Sequence, residues 1–222
     1  MVRNIIALSL AEARIHSHIC GDGYIGVYKC KRSKGELQKR PRKIIYRNKY
    51  SVRYFNNELT LLDSFSRDVK YAYGLDAICS KGERQICGKW LYARLKKLGA
   101  GKSKEWFISD EIMCSSNEIV SAWLSAFFDD EGHVDCLSNY ITLSSVNFGG
   151  LKQIEQLLRK LGFEKISICG PYYYKEFFSY RLKILSGDIV KFQRLIGFTH
   201  PKKAKDLESL VSKKLLKSSL LI

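Results

Sequence analysis

Apolar residues recur every three to four positions in four separate segments of the chain, which is the spacing of amphipathic helices. A glycine closes each segment, as is typical of the residue that follows a helix C-terminus. The pattern therefore predicts four helices, each with one apolar face. The four segments are 59–75, 89–104, 151–163 and 188–203, and their closing glycines are Gly74, Gly99, Gly162 and Gly197.

Two further segments, 44–55 and 177–185, alternate with a period of two, which predicts β-strands. One face of each strand is predicted to pack on helices, and the other is predicted to be cationic. The inward positions are Ile44, Tyr46, Asn48, Tyr50, Val52 and Tyr54 in the first strand, and Phe178, Tyr180, Leu182 and Ile184 in the second. The outward positions are Arg47, Lys49, Ser51 and Arg53, and then Ser179, Arg181 and Lys183.

The order of these elements occurs twice. "ARIHSHICGDGYIG" (residues 13–26) and "SAWLSAFFDDEGHVD" (residues 121–135) each predict a helix, an acidic residue followed by glycine, and a strand. Because later helices also recur in order, the chain is predicted to have two pseudo-equivalent halves, 1–109 and 110–222. Small residues would let the two motif helices pack side by side. These residues are Ser17, Cys20, Gly21, Ser125 and Ala126.

Asp22 and Glu131 occupy matching places at the C-terminal ends of the two motif helices. A carboxylate there is unfavourable by a few tenths to about one kcal/mol, because the helix end already carries partial negative charge. A divalent cation between the packed helices would offset this repulsion. Carboxylates and helix-end carbonyl oxygens suit Mg²⁺, which promotes hydrolysis when it is held against a phosphate. For either motif alone, an ordinary helix end followed by a turn is the simpler interpretation.

The chain is strongly basic, with 38 Lys and Arg against 22 Asp and Glu and a net charge of +16. This excess favours a polyanionic partner, nucleic acid first, and a surface kept basic for solubility is the alternative. The basic segment 29–49 is suited to phosphate contacts, and cationic sheet faces are suited to a DNA groove. The candidate DNA-binding residues are Arg47, Lys49, Arg53, Arg181 and Lys183.

Seven scattered cysteines without a C-x-x-C pair predict reduced thiols in an intracellular protein. A prokaryotic cytoplasm or nucleoid is the expected location, with an organelle as the alternative. His16, His18 and Cys20 do not form a zinc motif, because alternate residues of a helix point to opposite sides. A signal peptide, a membrane span and a membrane partner are not predicted, and the 45% hydrophobic content is typical of a packed globular protein.

These motifs resemble those of the LAGLIDADG homing endonucleases. "RIHSHICGDG" is similar to a divergent first motif, "LSAFFDDEG" is similar to the second, and "KSKEWFISDEI" and "IGFTHPKKAKDL" extend the likeness. The resemblance implies an α+β monomer with two pseudo-symmetric αββαββα halves, motif helices at the interface, and antiparallel sheets that form a DNA-binding saddle. It also implies an intron-encoded enzyme that cleaves both strands of a long asymmetric DNA site, leaving short 3′ overhangs. The implied cofactor is Mg²⁺, for which Mn²⁺ substitutes.

The resemblance also assigns metal binding to four residues by matching positions. Asp22 and Glu131 would be the metal-binding carboxylates and therefore the catalytic acids. The backbone carbonyls of Gly21 and Asp130 would be the auxiliary ligands.

Some members of this family place a lysine shortly after the second acidic motif, where this chain has Gly132-His133-Val134. Two other lysines are predicted instead to organise the phosphate or the water. They are Lys102 and Lys203, in the turns after the last helix of each half. Two alternative functions stay open on the same fold. One is an intron RNA maturase, and the other is a DNA-binding protein without catalysis.

Overall fold

The structure is a computed structural model, and it describes residues 8–31 and 46–219. Its helices are α1 (Leu10–Cys20), α2 (Leu59–Tyr73), α3 (Lys89–Leu98), α4 (Asp110–Met113), α5 (Asn117–Glu131), α6 (Phe148–Lys160), α7 (Ile189–Leu195) and α8 (Pro201–Ser219). Its strands are β1 (Gly23–Lys31), β2 (Tyr46–Phe55), β3 (Ile78–Ser80), β4 (Glu83–Cys87), β5 (Gly132–Asp135), β6 (Tyr140–Ser145), β7 (Ile166–Tyr174) and β8 (Phe177–Ile184).

Two four-stranded antiparallel sheets organise the molecule, one from each half. Their strand orders are β1-β2-β4-β3 and β5-β6-β8-β7, so each half has the same topology. With α1, α2 and α3 around the first sheet and α5, α6 and α7 around the second, both halves read αββαββα. This confirms the predicted α+β fold with two pseudo-symmetric halves, whereas the boundary between residues 109 and 110 stays a prediction.

The helix ends predicted at Gly74, Gly99, Gly162 and Gly197 are confirmed, and all four glycines have φ between 64° and 110°. The segment after Gly197 differs from the prediction, which made it a lysine-rich turn. It begins α8 instead, with Pro201 at the first helical position. Proline is favoured there because its fixed φ suits a helix and its missing N–H leaves no donor unpaired.

Strand β8 and the C-terminal part of β2 have the predicted two faces. Val52, Tyr54, Leu182 and Ile184 are buried, and Arg181 is exposed on the opposite face. Tyr46 and Asn48, predicted to face inward, are exposed, because β4 pairs with β2 from Ser51 onward and this end of β2 projects beyond it. Ser51 departs from its predicted exposed position, because Gln85 Nε2 donates a hydrogen bond to its Oγ at 2.8 Å and helps to bury it. Residues 44 and 45 and most of the basic segment 29–49 lie outside the described residues.

One apolar core runs through both halves and includes Trp123, Phe127 and Phe128 of α5. The connection between the halves is fixed to this core by Trp106, whose ring lies 5.2 Å from that of Phe127. Farther along, Gln153 both donates to and accepts from the backbone of Ile108, at 2.8 Å each. Within the described ranges, no helix is long and apolar enough to cross a membrane.

Candidate active site

Helices α1 and α5 lie side by side between the two sheets and bring the acidic motifs together. Ser17 Oγ donates a hydrogen bond to the Trp123 carbonyl at 2.6 Å, and Trp123 Nε1 donates to His16 Nδ1 at 2.9 Å. A Cβ at Gly21 would lie 2.8 Å from Asp130 Oδ2, so only glycine permits this approach. The small residues Ser17 and Gly21 thus lie at the helix contact as predicted, where they meet Trp123 and Asp130 of α5.

The Asp130 carboxylate is fully buried beneath the helix ends, although it was predicted only as a backbone ligand. One oxygen lies 2.9 Å from His18 Nδ1, and the other accepts a hydrogen bond from the Tyr54 hydroxyl at 2.7 Å. Burial disfavours the charged form of His18, but the charge and hydrogen bond of Asp130 outweigh it and raise the pKa of His18. Asp130 therefore joins α5 to both α1 and β2.

Asp22 and Glu131 occupy matching ends of the two motif helices. Asp22 follows Gly21 after α1, and its Oδ2 accepts a hydrogen bond from Asn56 Nδ2 at 3.2 Å. Displacement of water by the surrounding protein and the charge of Asp130 raise the pKa of Asp22 to about 6. Burial and then the charge of Asp22 raise the pKa of Glu131 to about 7. The raised pKa values mark a concentration of negative charge at the two helix ends.

The two acids open into two different clefts. Asp22 lies in a cleft of about 510 Å³, together with Asn56, Asp130, His200 and Lys203. Glu131 lies in a smaller cleft of about 220 Å³, whose lining includes Cys20, Gly21, Ser103, Trp106, Ser144 and Ser145. The cleft of Asp22 includes His200 and Lys203, which follow α7 of the second half, and the cleft of Glu131 includes Ser103, which follows α3 of the first half. The arrangement offers two related but unequal sites.

Lys203 is held against the end of α5 by backbone oxygens. Its Nζ donates to the carbonyls of Phe128, Asp129 and Asp130 at 3.3, 2.5 and 3.2 Å. Burial lowers the pKa of this ammonium group. Its positive charge offsets part of the rise in the pKa values of Asp22 and Glu131. The prediction that Lys203 lies in a turn is wrong, because it belongs to the first turns of α8.

Asp129 positions that lysine, and the sequence did not single it out. Its Oδ1 accepts the backbone N–H groups of Thr199 and His200 at 2.8 and 2.9 Å, immediately before α8 begins. A carboxylate at a helix N-terminus stabilises the unpaired N–H groups and the positive end of the dipole. The side chain of Asp129 thus anchors the start of α8, and that of Asp130 binds α1 and β2. In the sequence, the position of both acids directly before Glu131 was the signal that could have identified them.

Lys102 lies in the turn after α3, as predicted. The side chain is exposed, and the neighbouring Ser103, rather than Lys102, lines the cleft of Glu131. The lysine whose charge acts on both Asp22 and Glu131 is Lys203. A lysine side chain therefore lines the cleft of Asp22, whereas Ser103 lines that of Glu131.

The donor set at the helix ends fits a hard divalent cation. In the described part of the chain, no three His, Cys, Asp or Glu side chains form a ready-made cage. The donors are instead the Asp22 and Glu131 carboxylates, with helix-end backbone oxygens nearby, and water or phosphate would complete the shell. Mg²⁺ is usually bound in this way, through one or two carboxylates together with waters and substrate phosphates.

The candidate DNA-binding cations lie on β2 and β8, and four of them rest against tyrosine rings. Lys49 lies 5.7 Å from the Tyr28 ring centroid and Arg53 lies 5.9 Å from that of Tyr24. Lys183 lies 4.6 Å from the Tyr140 centroid, and Arg181 lies 4.8 Å from the Tyr172 centroid. Arg47 extends from the same face of β2. Such ring contacts limit the motion of long cationic side chains.

This architecture is the LAGLIDADG homing endonuclease fold in its single-chain form with two motifs, as the sequence predicted. Among solved structures, the homing endonuclease I-DmoI, in a study of its mesophilic variants, matches with a TM-score of 0.60 and 18% identity. The match covers 84% of this chain and 94% of that chain. Neither a family model nor a curated protein matches the sequence.

Two more distant structures cover almost the entire chain. The LAGLIDADG meganuclease I-AabMI, bound to uncleaved DNA, matches with a TM-score of 0.53 and 13% identity over 96% of this chain and 92% of that one. The LAGLIDADG homing endonuclease I-LtrWI, bound to target DNA, matches with a TM-score of 0.53 and 10% identity over 94% and 91%. The fold is therefore shared over both halves.

Proposed function

We propose that this protein is a site-specific endonuclease that uses Mg²⁺ to hydrolyse both strands of double-stranded DNA. The observation that carries the proposal is the pair of helix-end carboxylates, Asp22 and Glu131, with pKa values raised to about 6 and about 7. Their position at the ends of α1 and α5, with the cationic strands β2 and β8 in the two flanking sheets, supports a site that acts on a phosphodiester backbone. The I-DmoI structures with DNA and Mn, and with DNA and Ca, support the same reading of the fold.

Asp22 and Glu131 would hold the cation, with the backbone carbonyls of Gly21 and Asp130 as auxiliary oxygens. Mg²⁺ bound there would supply charge neutralisation at the phosphate and a more acidic water. The protein's own contribution is to hold the two carboxylates rigidly. Because His18 and Tyr54 bind both oxygens of Asp130, the end of α5 has little freedom to move.

Lys203 has two tasks in this proposal. Its ammonium group neutralises the carbonyl end of α5, and it places one positive charge in the cleft of Asp22. Because Ser103 lines the other cleft, we expect the two DNA strands to be cut at unequal rates. The Lys203→Met variant should slow cleavage of one strand much more than that of the other.

The cationic faces of β2 and β8 would hold the duplex, and the protein would act as a monomer because one chain supplies both sheets. Arg53 and Arg181 would contact phosphates on the two sides of the cleavage site. The long asymmetric target and the short 3′ overhangs are part of the same proposal. Two unlike half-surfaces account for the asymmetry of the target, and the short 3′ overhangs are what the resemblance to LAGLIDADG homing endonucleases implies.

Incubation of the purified protein with a randomised duplex library tests this function. Separate reactions would contain Mg²⁺ or Ca²⁺, and the ends produced would be sequenced. Defined double-strand ends with Mg²⁺ support the proposal. Duplex binding without any cleavage in Mg²⁺ or Mn²⁺ would overturn it and favour the maturase or the non-catalytic protein.

Variants then assign the chemistry to the acids. Asp22→Asn and Glu131→Gln should each abolish cleavage while duplex binding in Ca²⁺ stays close to that of the wild type. Glu118→Gln is the matched control, because Glu118 lies in the first turn of α5, far from the acidic helix end. Full cleavage by either acid variant would refute the metal assignment.

A further inference from the structure

The hairpin of β7 and β8 carries an aromatic surface that the duplex saddle does not use. The cross-strand pair Tyr173 and Phe178 has ring centroids 6.4 Å apart. Phe178 lies 5.9 Å from Tyr180, which lies 4.8 Å from Phe148 at the start of α6. We call the row Tyr173, Phe178, Tyr180 and Phe148 the aromatic ladder.

The aromatic ladder lies on the sheet face opposite to the cationic saddle. In β8, Phe178 and Tyr180 alternate with Ser179 and Arg181, so the ladder shares its face with the buried Leu182 and Ile184. Tyr173 is 77% exposed and Phe148 is 44% exposed, whereas Phe178 and Tyr180 are half-buried. A duplex docked on the saddle would not reach them.

Two lysines accompany the rings. Lys104, from the connection between the halves, lies 5.1 Å from the Phe178 centroid, and Lys152 lies 5.8 Å from the Phe148 centroid. Rings in a row with ammonium groups beside them are the features that bind unpaired bases and their phosphates. Bases within a duplex stack on each other and cannot offer their faces to such a row.

The fold itself does not require this surface, because the counterpart hairpin in the described part of the first half lacks it. The corresponding hairpin of β3 and β4 is short, with Ile78, Cys79 and Ser80 in its first strand. The high net charge of +16 argues for a polyanion over an apolar protein partner. The surface therefore distinguishes the β7–β8 hairpin from its counterpart, β3–β4.

From these observations we infer that the aromatic ladder binds single-stranded nucleic acid, with unpaired bases stacked on its rings and phosphates beside Lys104 and Lys152. This site is separate from the proposed endonuclease site and works without it. Unpaired bases occur in both DNA and folded RNA, and the shared chemistry is the base face. DNA and RNA differ here in the sugar, so binding of matched DNA and RNA strands distinguishes them.

Fluorescence anisotropy in EDTA tests the inference with labelled strands of about 16 nucleotides, one of DNA and one of RNA. A duplex and an abasic strand of equal length are the comparison probes. The double variant Tyr173→Ala/Phe148→Ala should weaken binding of one or both single strands by about tenfold or more, because each stacked base contributes strongly. Duplex binding should stay within about twofold, since the saddle is unchanged. The abasic strand should bind the wild type weakly.

Matched variants separate stacking from folding effects. Tyr173→Phe/Phe148→Tyr keeps both rings and should retain single-strand binding. Tyr71→Ala removes a tyrosine that is 82% exposed on α2, away from the ladder, and should change nothing. Equal losses for duplex and single strands, or no loss from the double alanine variant, would overturn the inference. Either result would leave the cleavage test of Asp22 and Glu131 unaffected.

Discussion

Replacing Glu131 with glutamine should stabilise the metal-free protein at alkaline pH, although the same change should abolish cleavage. In the folded protein, burial and the charge of Asp22 raise the pKa of Glu131 from an ordinary 4.5 to about 7. Above pH 7 the folded protein must therefore carry an unfavourable carboxylate. Glutamine has nearly the same shape and no charge, so it removes this cost.

The magnitude follows from the pKa difference of Glu131. A rise of about 2.5 in pKa corresponds to about 3 kcal/mol, at about 1.4 kcal/mol for each pKa unit. Because Glu131 is partly exposed and solvent screens its charge, we expect about 2 kcal/mol. Between pH 4.5 and 7 the folded state binds more protons than the unfolded state, so wild-type stability falls as pH rises through this window.

Urea denaturation in EDTA at about pH 5 and pH 8.5 measures the effect. Glu131→Gln should exceed the wild type by about 2 kcal/mol at the higher pH, or roughly 4–8 °C in Tm, with little difference at the lower pH. Mg²⁺ should raise the stability of the wild type and leave the variant unchanged. The control Glu118→Gln has no such burial and should not gain. A Glu131→Gln protein that is no more stable than the wild type at pH 8.5 would refute the reasoning.

Three other predictions concern packing and binding. Gly21→Ala should cost about 1–3 kcal/mol in urea denaturation, because the added Cβ would lie 2.8 Å from Asp130 Oδ2; an unchanged midpoint would mean that α1 and α5 separate easily. Arg53→Ala should lower the log–log salt slope of duplex binding by about one, as expected for one lost phosphate contact, and an unchanged slope would exclude that contact. Trp106→Ala should cost about 3–5 kcal/mol, whereas Phe107→Ala, which removes a ring that is 49% exposed, should have a small effect.

Most of the fold could be predicted from local patterns in the sequence. The spacing of apolar residues and the closing glycines located four of the helices, and alternation located the two faces of β8 and of the C-terminal part of β2. The repeat of an acid followed by glycine located Asp22 and Glu131 at matching helix ends. These signals are local, so a single sequence contains them in readable form.

The contacts that hold the site together could not be predicted in this way. His18 and Asp130 are 112 positions apart, and only the packing of α1 on α5 brings them within 2.9 Å. Lys203 was selected for its charge, but its three carbonyl partners depend on where Asp129 anchors α8. The aromatic ladder brings Phe148 of α6 against Tyr180 of β8. The periodicity of either segment alone does not predict this contact.

The pairing of His18 with Asp130 makes the two halves unable to replace each other. Matching Asp22 to Glu131 makes Gly21 the counterpart of Asp130 and Phe127 the counterpart of His18. Two copies of the first half would set His18 against glycine, and two copies of the second would set the Asp130 carboxylate against phenylalanine. The interface is thus complementary rather than self-complementary. Neither half, paired with a second copy of itself, could form this contact.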